Sequence, residues 1–95
     1  MSRNKVGPVL RPGELAQAII DAIELDNPER EISIEDHVAY IRVQAEDECL
    51  IRRATVEECL GRPFKMQELE TILGSFAGQI ENTQDHMRFY FEKKI

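Results

Sequence analysis

The sequence predicts a small α+β domain built mostly of antiparallel strands, with one long and two short helices. Apolar residues recur at helical spacing between Glu14 and Leu25, whereas residues 37–45 and 87–91 alternate between apolar and polar positions. No repeat, low-complexity tract or Gly/Ser linker divides the 95 residues. Because a chain of this length suits one hydrophobic core, we expect one domain over residues 1–95, with a flexible tail at residues 1–5.

The first two elements are an extended arm and the most regular helix. Residues 6–10 predict a short strand, and Pro8 places it at a sheet edge or on the surface because proline has no N–H for a ladder. A helix is predicted over residues 14–25. Asn27 and Pro28 end it, since the residue before proline is pushed out of the helical region.

A hairpin is predicted next. Ile32 and Ile34 begin an alternating pattern that continues over residues 37–45. An acidic turn at residues 46–48 then precedes a returning strand, so residues 38–53 are expected to pair with one another.

Two short helices follow the hairpin. Thr55 and Glu58 have the spacing of a capping box, and Gly61 suits the left-handed position that ends a helix. Residues 66–73 predict the second short helix from the positions of their apolar side chains.

The last part of the chain begins with a small-residue stretch at residues 74–78. Two explanations suit its two glycines equally well. They could form a helix stop and a bulge, or they could allow another backbone to approach closely. Residues 79–81 are expected to be extended, residues 82–85 to form a turn, and residues 86–91 to form a final strand.

Charge and hydropathy argue against several classes of partner. Twelve basic and 18 acidic residues give a net charge of −6, which is unfavourable beside nucleic acid phosphates. The aromatic and basic run Arg88–Phe91 could stack on bases, but the net charge opposes that function. No apolar run approaches the roughly 20 residues of a membrane span, and no signal peptide is evident, so we expect a cytoplasmic protein.

Motifs of catalysis or metal binding do not occur in the sequence. It has no nucleophile elbow, P-loop or dinucleotide fingerprint. Cys49 and Cys59 lack the spacing of a zinc site and are expected to be free thiols, while His37 and His86 are expected to be partly exposed polar residues. We therefore expect no metal, no cofactor and no catalytic residues. A carboxylate pair for acid–base catalysis stays an alternative, as does a stand-alone small-molecule-binding regulatory module.

The composition of two segments does not fit the simple interpretation that their side chains only fill a core. Residues 4–11 look like a mobile end yet carry apolar side chains, and residues 74–79 are small enough to let another backbone approach. A docking surface made from both segments would explain them.

Several motifs, in order and over most of the chain from Val6 to Lys93, resemble one family. It comprises the effector (coupling or regulatory) proteins of soluble bacterial multicomponent diiron monooxygenases, and the similarity is greatest to the toluene/aromatic branch. The motifs are Val6-Gly7-Pro8 with Arg11, Asp26-Asn27-Pro28, residues 60–64, residues 66–70, residues 75–80 and residues 88–91.

This resemblance implies a non-catalytic, cofactor-free protein that docks on a diiron aromatic-hydrocarbon hydroxylase. It would reshape the active site there and couple O2 activation to substrate hydroxylation. The free protein is expected to be a monomer, and its acidic surface is expected to steer docking. The hydroxylase-interface residues that the resemblance implies are Asn4, Val6, Gly7, Pro8, Arg11, Ser75, Phe76, Ala77, Gly78 and Gln79.

Overall fold

Two antiparallel sheets and three helices enclose one core. The computed structural model describes residues 5–91 and confirms the predicted fold class. Of the predicted flexible tail, only Lys5 is described, and it is the first residue of a strand. The strands are β1 (Lys5–Leu10), β2 (Ile32–Asp36), β3 (Ile41–Glu46), β4 (Glu48–Arg52), β5 (Leu73–Ala77), β6 (Gln79–Asn82) and β7 (His86–Tyr90), and the helices are α1 (Glu14–Asp26), α2 (Arg53–Leu60) and α3 (Met66–Ile72).

Four strands form one sheet in the order β2-β3-β1-β5, and three form the other in the order β4-β7-β6. All neighbouring strands are antiparallel. The sheets and α1 meet in one cluster of buried side chains, which includes Ile19 and Ile23 of α1, Leu10 and Val43 of the first sheet, and Phe89 of the second. This arrangement leaves β2, β4, β5 and β6 at sheet edges.

The prediction that residues 6–10 form an edge strand or a surface arm is wrong, because β1 is a central strand. It pairs with β3 on one side and with β5 on the other. Its pairing with β3 is interrupted at Gly7 and Pro8, which accommodates a residue that has no N–H to donate. A Cβ atom on Gly7 would collide with the carbonyl oxygen of Val43, so only glycine allows the two strands to approach this closely.

The predicted hairpin over residues 38–53 is also wrong. β3 pairs with β2, in a register that places Ile34 opposite Val43, whereas β4 pairs with β7 in the other sheet. The chain changes sheets at Asp47, which has a φ of 67° and accepts a hydrogen bond of 3.0 Å from the Phe91 N–H. Alternation identified the strands, but it carries no information about which strand each one pairs with.

The predicted long helix is confirmed, and it ends with Asn27 as its C-cap. The capping box at Thr55 is wrong, because α2 begins two residues earlier and the Thr55 hydroxyl donates to Asp26 Oδ1 at 2.7 Å. Gly61 ends α2 in the left-handed conformation, as predicted. The next helix, α3, ends at Ile72, so Gly74 is not its stop signal.

The final predicted elements are close to those observed. β6 and β7 flank a turn at residues 83–85, and β7 ends at Tyr90, so Phe91 lies just beyond the strand. Within residues 5–91, none of the helices has both the length and the apolar character needed to cross a membrane.

Candidate docking surface

The small-residue segment predicted to bind a partner lies at the junction of two sheet edges. β5 is the last strand of the first sheet, and β6, which follows it directly, is the last strand of the second. Among the described residues, no strand pairs with the free side of either one. Such an edge presents unpaired backbone N–H and C=O groups to a partner. We call β5 and β6 together the edge surface.

The edge strand β5 carries no charged side chain. Its five residues, from Leu73 to Ala77, are all uncharged. The opposite edge of the same sheet, β2, carries Glu35 and Asp36, and acidic side chains on an edge strand discourage pairing with other chains. The two edges of this sheet therefore differ in what they can bind.

The faces of β5 carry different side chains. Ser75 lies opposite Val9 and Ala77 opposite Gly7, so these four residues share the outer face of the sheet, away from the core. We call them the outer platform. Phe76 points the other way, packs with its ring centroid 5.5 Å from that of Phe89, and leaves 41% of its surface exposed. The edge thus combines a flat, small-residue face with one half-exposed aromatic ring.

The structure brings the two predicted segments together. Gly7 pairs with Ala77 and Pro8 with Phe76, so the two segments are neighbouring strands. Of the remaining predicted residues, Arg11 is exposed at the end of β1, where its N–H donates to the Ile72 carbonyl at 2.8 Å.

Not every predicted interface residue is accessible. Ser75, Gly78 and Gln79 are exposed and Ala77 is half-buried, whereas Val6, Gly7 and Pro8 are buried beside β5. Val6 and Pro8 support the surface from the core side, and Gly7 is the buried member of the outer platform. Asn4 lies outside the described residues. Val9 belongs to the outer platform and was missed; the period of two from Gly7 could have identified it.

Gly78 allows the chain to pass from one sheet to the other. Its φ is 97°, and a Cβ atom there would lie 2.6 Å from Val6 Cγ1 and 2.7 Å from the Tyr90 carbonyl oxygen. Gly74 differs, because a Cβ atom on it would meet nothing closer than the Val9 carbonyl oxygen at 3.6 Å. Gly78 is therefore required by the backbone and by close packing, whereas Gly74 is not.

The charge of the protein is concentrated on its helices. The three helices carry eight acidic side chains and one basic side chain, a net charge of −7, so the rest of the chain sums to +1. The strand β5 and the outer platform contribute no charge at all. The strand β5 and the outer platform are thus neutral, in contrast to the three acidic helices.

Arg88 on the second sheet is fully engaged. Its guanidinium donates to Glu48 Oε2 at 2.8 Å and to Glu81 Oε1 at 2.9 Å, and it lies 4.2 Å from the centroid of the Tyr90 ring. Hydrogen bonds from Arg88, and secondarily from His86, lower the pKa of Glu81. Phe89 is buried. The run that resembled a base-stacking platform therefore offers neither a free cation nor a free ring at these two positions.

The two thiols are free, as predicted. Burial raises the pKa of Cys49 to about 12, so its thiol is protonated and a poor nucleophile at neutral pH. Burial, followed by the charges of Asp21 and Glu58, also raises the pKa of the partly exposed Cys59. Among residues 5–91, no three His, Cys, Asp or Glu side chains are grouped so that they could hold a metal ion.

An open depression of about 490 Å³ lies where α2 meets the second sheet. Arg53 at its wall is already paired with Glu57 at 3.2 Å and with Asp85 at 3.3 Å. A small-molecule-binding function could use this depression. Its lining residues are Leu50, Arg52, Arg53, Ala54, Asp85 and His86.

Comparison with known sequences identifies the family. The sequence model of the MmoB/DmpM family matches residues 4–90, which is nearly the whole chain. The chain belongs to the MmoB/DmpM family.

Relatives of this chain include named components of two monooxygenase systems. The effector subunit of the alkene monooxygenase system of Xanthobacter autotrophicus (strain ATCC BAA-1158 / Py2) is 38% identical over 92 residues, covering 97% of this chain and 91% of that protein. The stimulatory component DmpM of the phenol 2-monooxygenase of Pseudomonas sp. (strain CF600) is 38% identical over 79 residues, covering 83% of each. The predicted role of a regulatory rather than catalytic component is therefore confirmed.

Solved structures agree with this assignment. A chain in the complex of phenol hydroxylase with its regulatory protein superposes with a TM-score of 0.83 at 30% identity, covering 94% of this chain and 100% of that one. Regulatory protein B of soluble methane monooxygenase gives a TM-score of 0.67 at 19% identity, covering 97% of this chain and 68% of that one, and supports the fold alone.

Proposed function

We propose that this member of the MmoB/DmpM family docks on the diiron hydroxylase component of a monooxygenase through its edge surface and outer platform. The monooxygenase would be cytoplasmic and would act on aromatic hydrocarbons. The observation that carries the proposal is the direct pairing of the two segments implicated by the sequence, at the uncharged strand β5, whose free side pairs with no strand between residues 5 and 91. The phenol hydroxylase–regulatory protein complex supports the identity of the partner.

The chemistry of the edge surface suits such a role. Small side chains at Ser75 and Ala77 let a partner helix or strand approach the backbone closely. The half-exposed ring of Phe76 offers an apolar anchor. An effector acts by binding one conformation of its partner more tightly than another, so the shape of this surface sets how strongly it can shift the hydroxylase. The hydroxylase supplies the diiron centre, and the effector couples O2 activation there to hydroxylation.

Steady-state turnover with and without the effector tests this proposal. The hydroxylase, its reductase and its electron carrier are assayed with wild type, Ala77→Trp and Ala54→Trp. Ala77 lies on the outer platform, whereas Ala54 is an exposed residue of α2 at the wall of the depression. We expect Ala77→Trp to lower stimulation about tenfold by obstructing close approach, whereas Ala54→Trp should act like wild type.

Thermal unfolding of both variants separates docking from folding. The proposal requires Ala77→Trp to unfold within a few degrees of wild type. An equally large loss of stability would assign Ala77 to the core instead. Unchanged turnover and coupling on adding stoichiometric wild-type protein would reject the effector role, and a metabolite that raises Tm without the hydroxylase would favour the small-molecule-binding alternative.

A further inference from the structure

The hairpin formed by β2 and β3 carries three of the seven large apolar side chains that are exposed among the described residues. We call residues 37–40, which join these two strands, the hairpin tip. Val38 is the most exposed large apolar residue among those described, at 87%. Ile34 and Tyr40 on the same hairpin are also exposed, so three such side chains lie within seven residues. Apolar surface concentrated in this way is a signature of an interaction site.

The backbone at Val38 is strained. Its φ is 69°, in the left-handed region that β-branched residues rarely occupy. The Asp36 carboxylate holds this conformation by accepting the Val38 N–H at 2.9 Å. Glycine or asparagine would adopt it at lower cost, and both are the usual residues in tight hairpin turns. Packing within the chain does not explain a valine here, since its side chain is almost entirely exposed.

The hairpin tip is also held in one arrangement. The His37 N–H donates to the Tyr40 carbonyl at 2.9 Å, and the Ala39 N–H donates to the His37 carbonyl at 2.7 Å. The rings of His37 and Tyr40 stack with their centroids 4.7 Å apart. A preformed tip loses little conformational freedom when it binds, which favours association.

The position of the hairpin tip continues the proposed docking surface. Ile41, the first residue of β3, pairs with both Asp36 and Leu10. The hairpin tip therefore extends beyond the end of β1 at which Arg11 emerges. A partner that contacts Arg11 and the outer platform would reach the hairpin tip by following the same sheet.

We propose that the hairpin tip is a second contact with the hydroxylase, in which Val38 enters an apolar depression with a basic rim. The proposal rests on the proposed function for the identity of the partner. Glu35 beside the tip is paired with Arg42 at 3.5 Å, so Asp36 gives the base of the tip its net negative charge and sets the charge of the rim. This negative charge would repel both a second copy of the same hairpin and an anionic membrane.

Binding of Val38→Asn to the hydroxylase tests the proposal. Asparagine tolerates the left-handed conformation and removes the apolar surface. We expect the Kd, measured by titration calorimetry, to rise about tenfold, which corresponds to losing the burial of one valine. We also expect Tm to stay the same or rise, because the strain is relieved. Leu25→Gln, which changes another exposed apolar residue, near the end of α1, is the matched control and should bind like wild type.

The other outcomes distinguish failure of the proposed function from failure of the hairpin contact. If wild type fails to bind the hydroxylase, the proposed function itself is rejected. Tight wild-type binding with no change in Val38→Asn or Val38→Gly would overturn the hairpin contact alone. Loss of self-association in Val38→Asn by sedimentation, or loss of binding to phosphatidylserine vesicles, with unchanged hydroxylase affinity would assign the tip to a second copy or to a membrane and also overturn the proposal.

Discussion

Gly74 and Gly78 bound the same small-residue stretch, yet the structure assigns them different physical roles. Gly78 has a positive φ and is enclosed by Val6 and the Tyr90 carbonyl, whereas a Cβ atom on Gly74 would make only an ordinary contact, 3.6 Å from the Val9 carbonyl oxygen. Both a contact surface and a bulge were compatible with the sequence, because a glycine does not reveal which of its properties the fold uses. Of these two glycines, only Gly78 is required by the structure.

Alanine substitutions should separate these roles. We expect Gly78→Ala to lower the free energy of unfolding by about 2–4 kcal/mol, because the new Cβ atom meets a strained φ and two close neighbours. Gly74→Ala, the matched control, should change it by less than about 1 kcal/mol. Urea denaturation measures the unfolding free energy of both variants. Equal values would show that the backbone at Gly78 adjusts to the new Cβ atom without cost.

At the scale of elements, a buried amide helps to join the end of α1 to β4, beside the Asp26 carboxylate, which accepts the Arg52 N–H at 2.8 Å. Asn27 Nδ2 donates to the Ile23 carbonyl at 2.7 Å and to the Leu50 carbonyl at 2.9 Å. Its Oδ1 accepts the Leu50 N–H at 2.9 Å. The sequence identified Asn27 correctly as the end of the helix. Its contact with a strand 23 residues away required the tertiary structure.

Removing this amide should loosen the helix from the sheet. We expect Asn27→Ala to cost about 2–4 kcal/mol of unfolding free energy, because it leaves the Leu50 N–H and carbonyl without their buried partner. Asn82→Ala, at the exposed end of β6, should cost less than about 1 kcal/mol. Hydrogen exchange at the Leu50 amide provides a local readout, and unchanged protection there would contradict this account.

The pairing of strands shows the same division between local and distant information. The alternating pattern located β3 and β4 but paired them wrongly, since the turn at Asp47 directs β4 into the other sheet. Pro8 suggested an edge strand, yet β1 pairs on both sides, and it tolerates the proline because its ladder with β3 is interrupted there. Both errors arise because pairing partners depend on contacts far apart in sequence.

At the scale of the whole molecule, the distribution of charge changes the interpretation of the net charge. The value of −6 suggested that an acidic surface steers docking. The helices carry −7 of formal charge, however, whereas β5 and the outer platform carry none. Exposed charges are screened over about 8 Å at physiological ionic strength, so we expect the helical charges to act weakly on these uncharged residues.

The association rate with the hydroxylase should therefore depend little on the acidic helices. Between about 50 and 200 mM salt, we expect the rate constant to fall less than about threefold. Neutralising Asp21 and Glu24 on α1 should change it by less than about twofold, whereas Arg11→Gln, at the docking surface, should have the larger effect. Stopped-flow fluorescence provides the measurement. A steep salt dependence that disappears on neutralising α1 would restore steering by the acidic helices.

The sequence by itself determined the fold class, the long helix and its end at Asn27, the left-handed Gly61 and the family. These features depend on local periodicity, on the conformations that single residues favour, and on the order of motifs along the chain. The tertiary structure alone decided which strands pair, which predicted interface residues are buried, and that residues 6–8 and 75–79 lie side by side. The physical reason is that a surface is formed by residues distant in sequence, whose proximity depends on the packing of the whole chain.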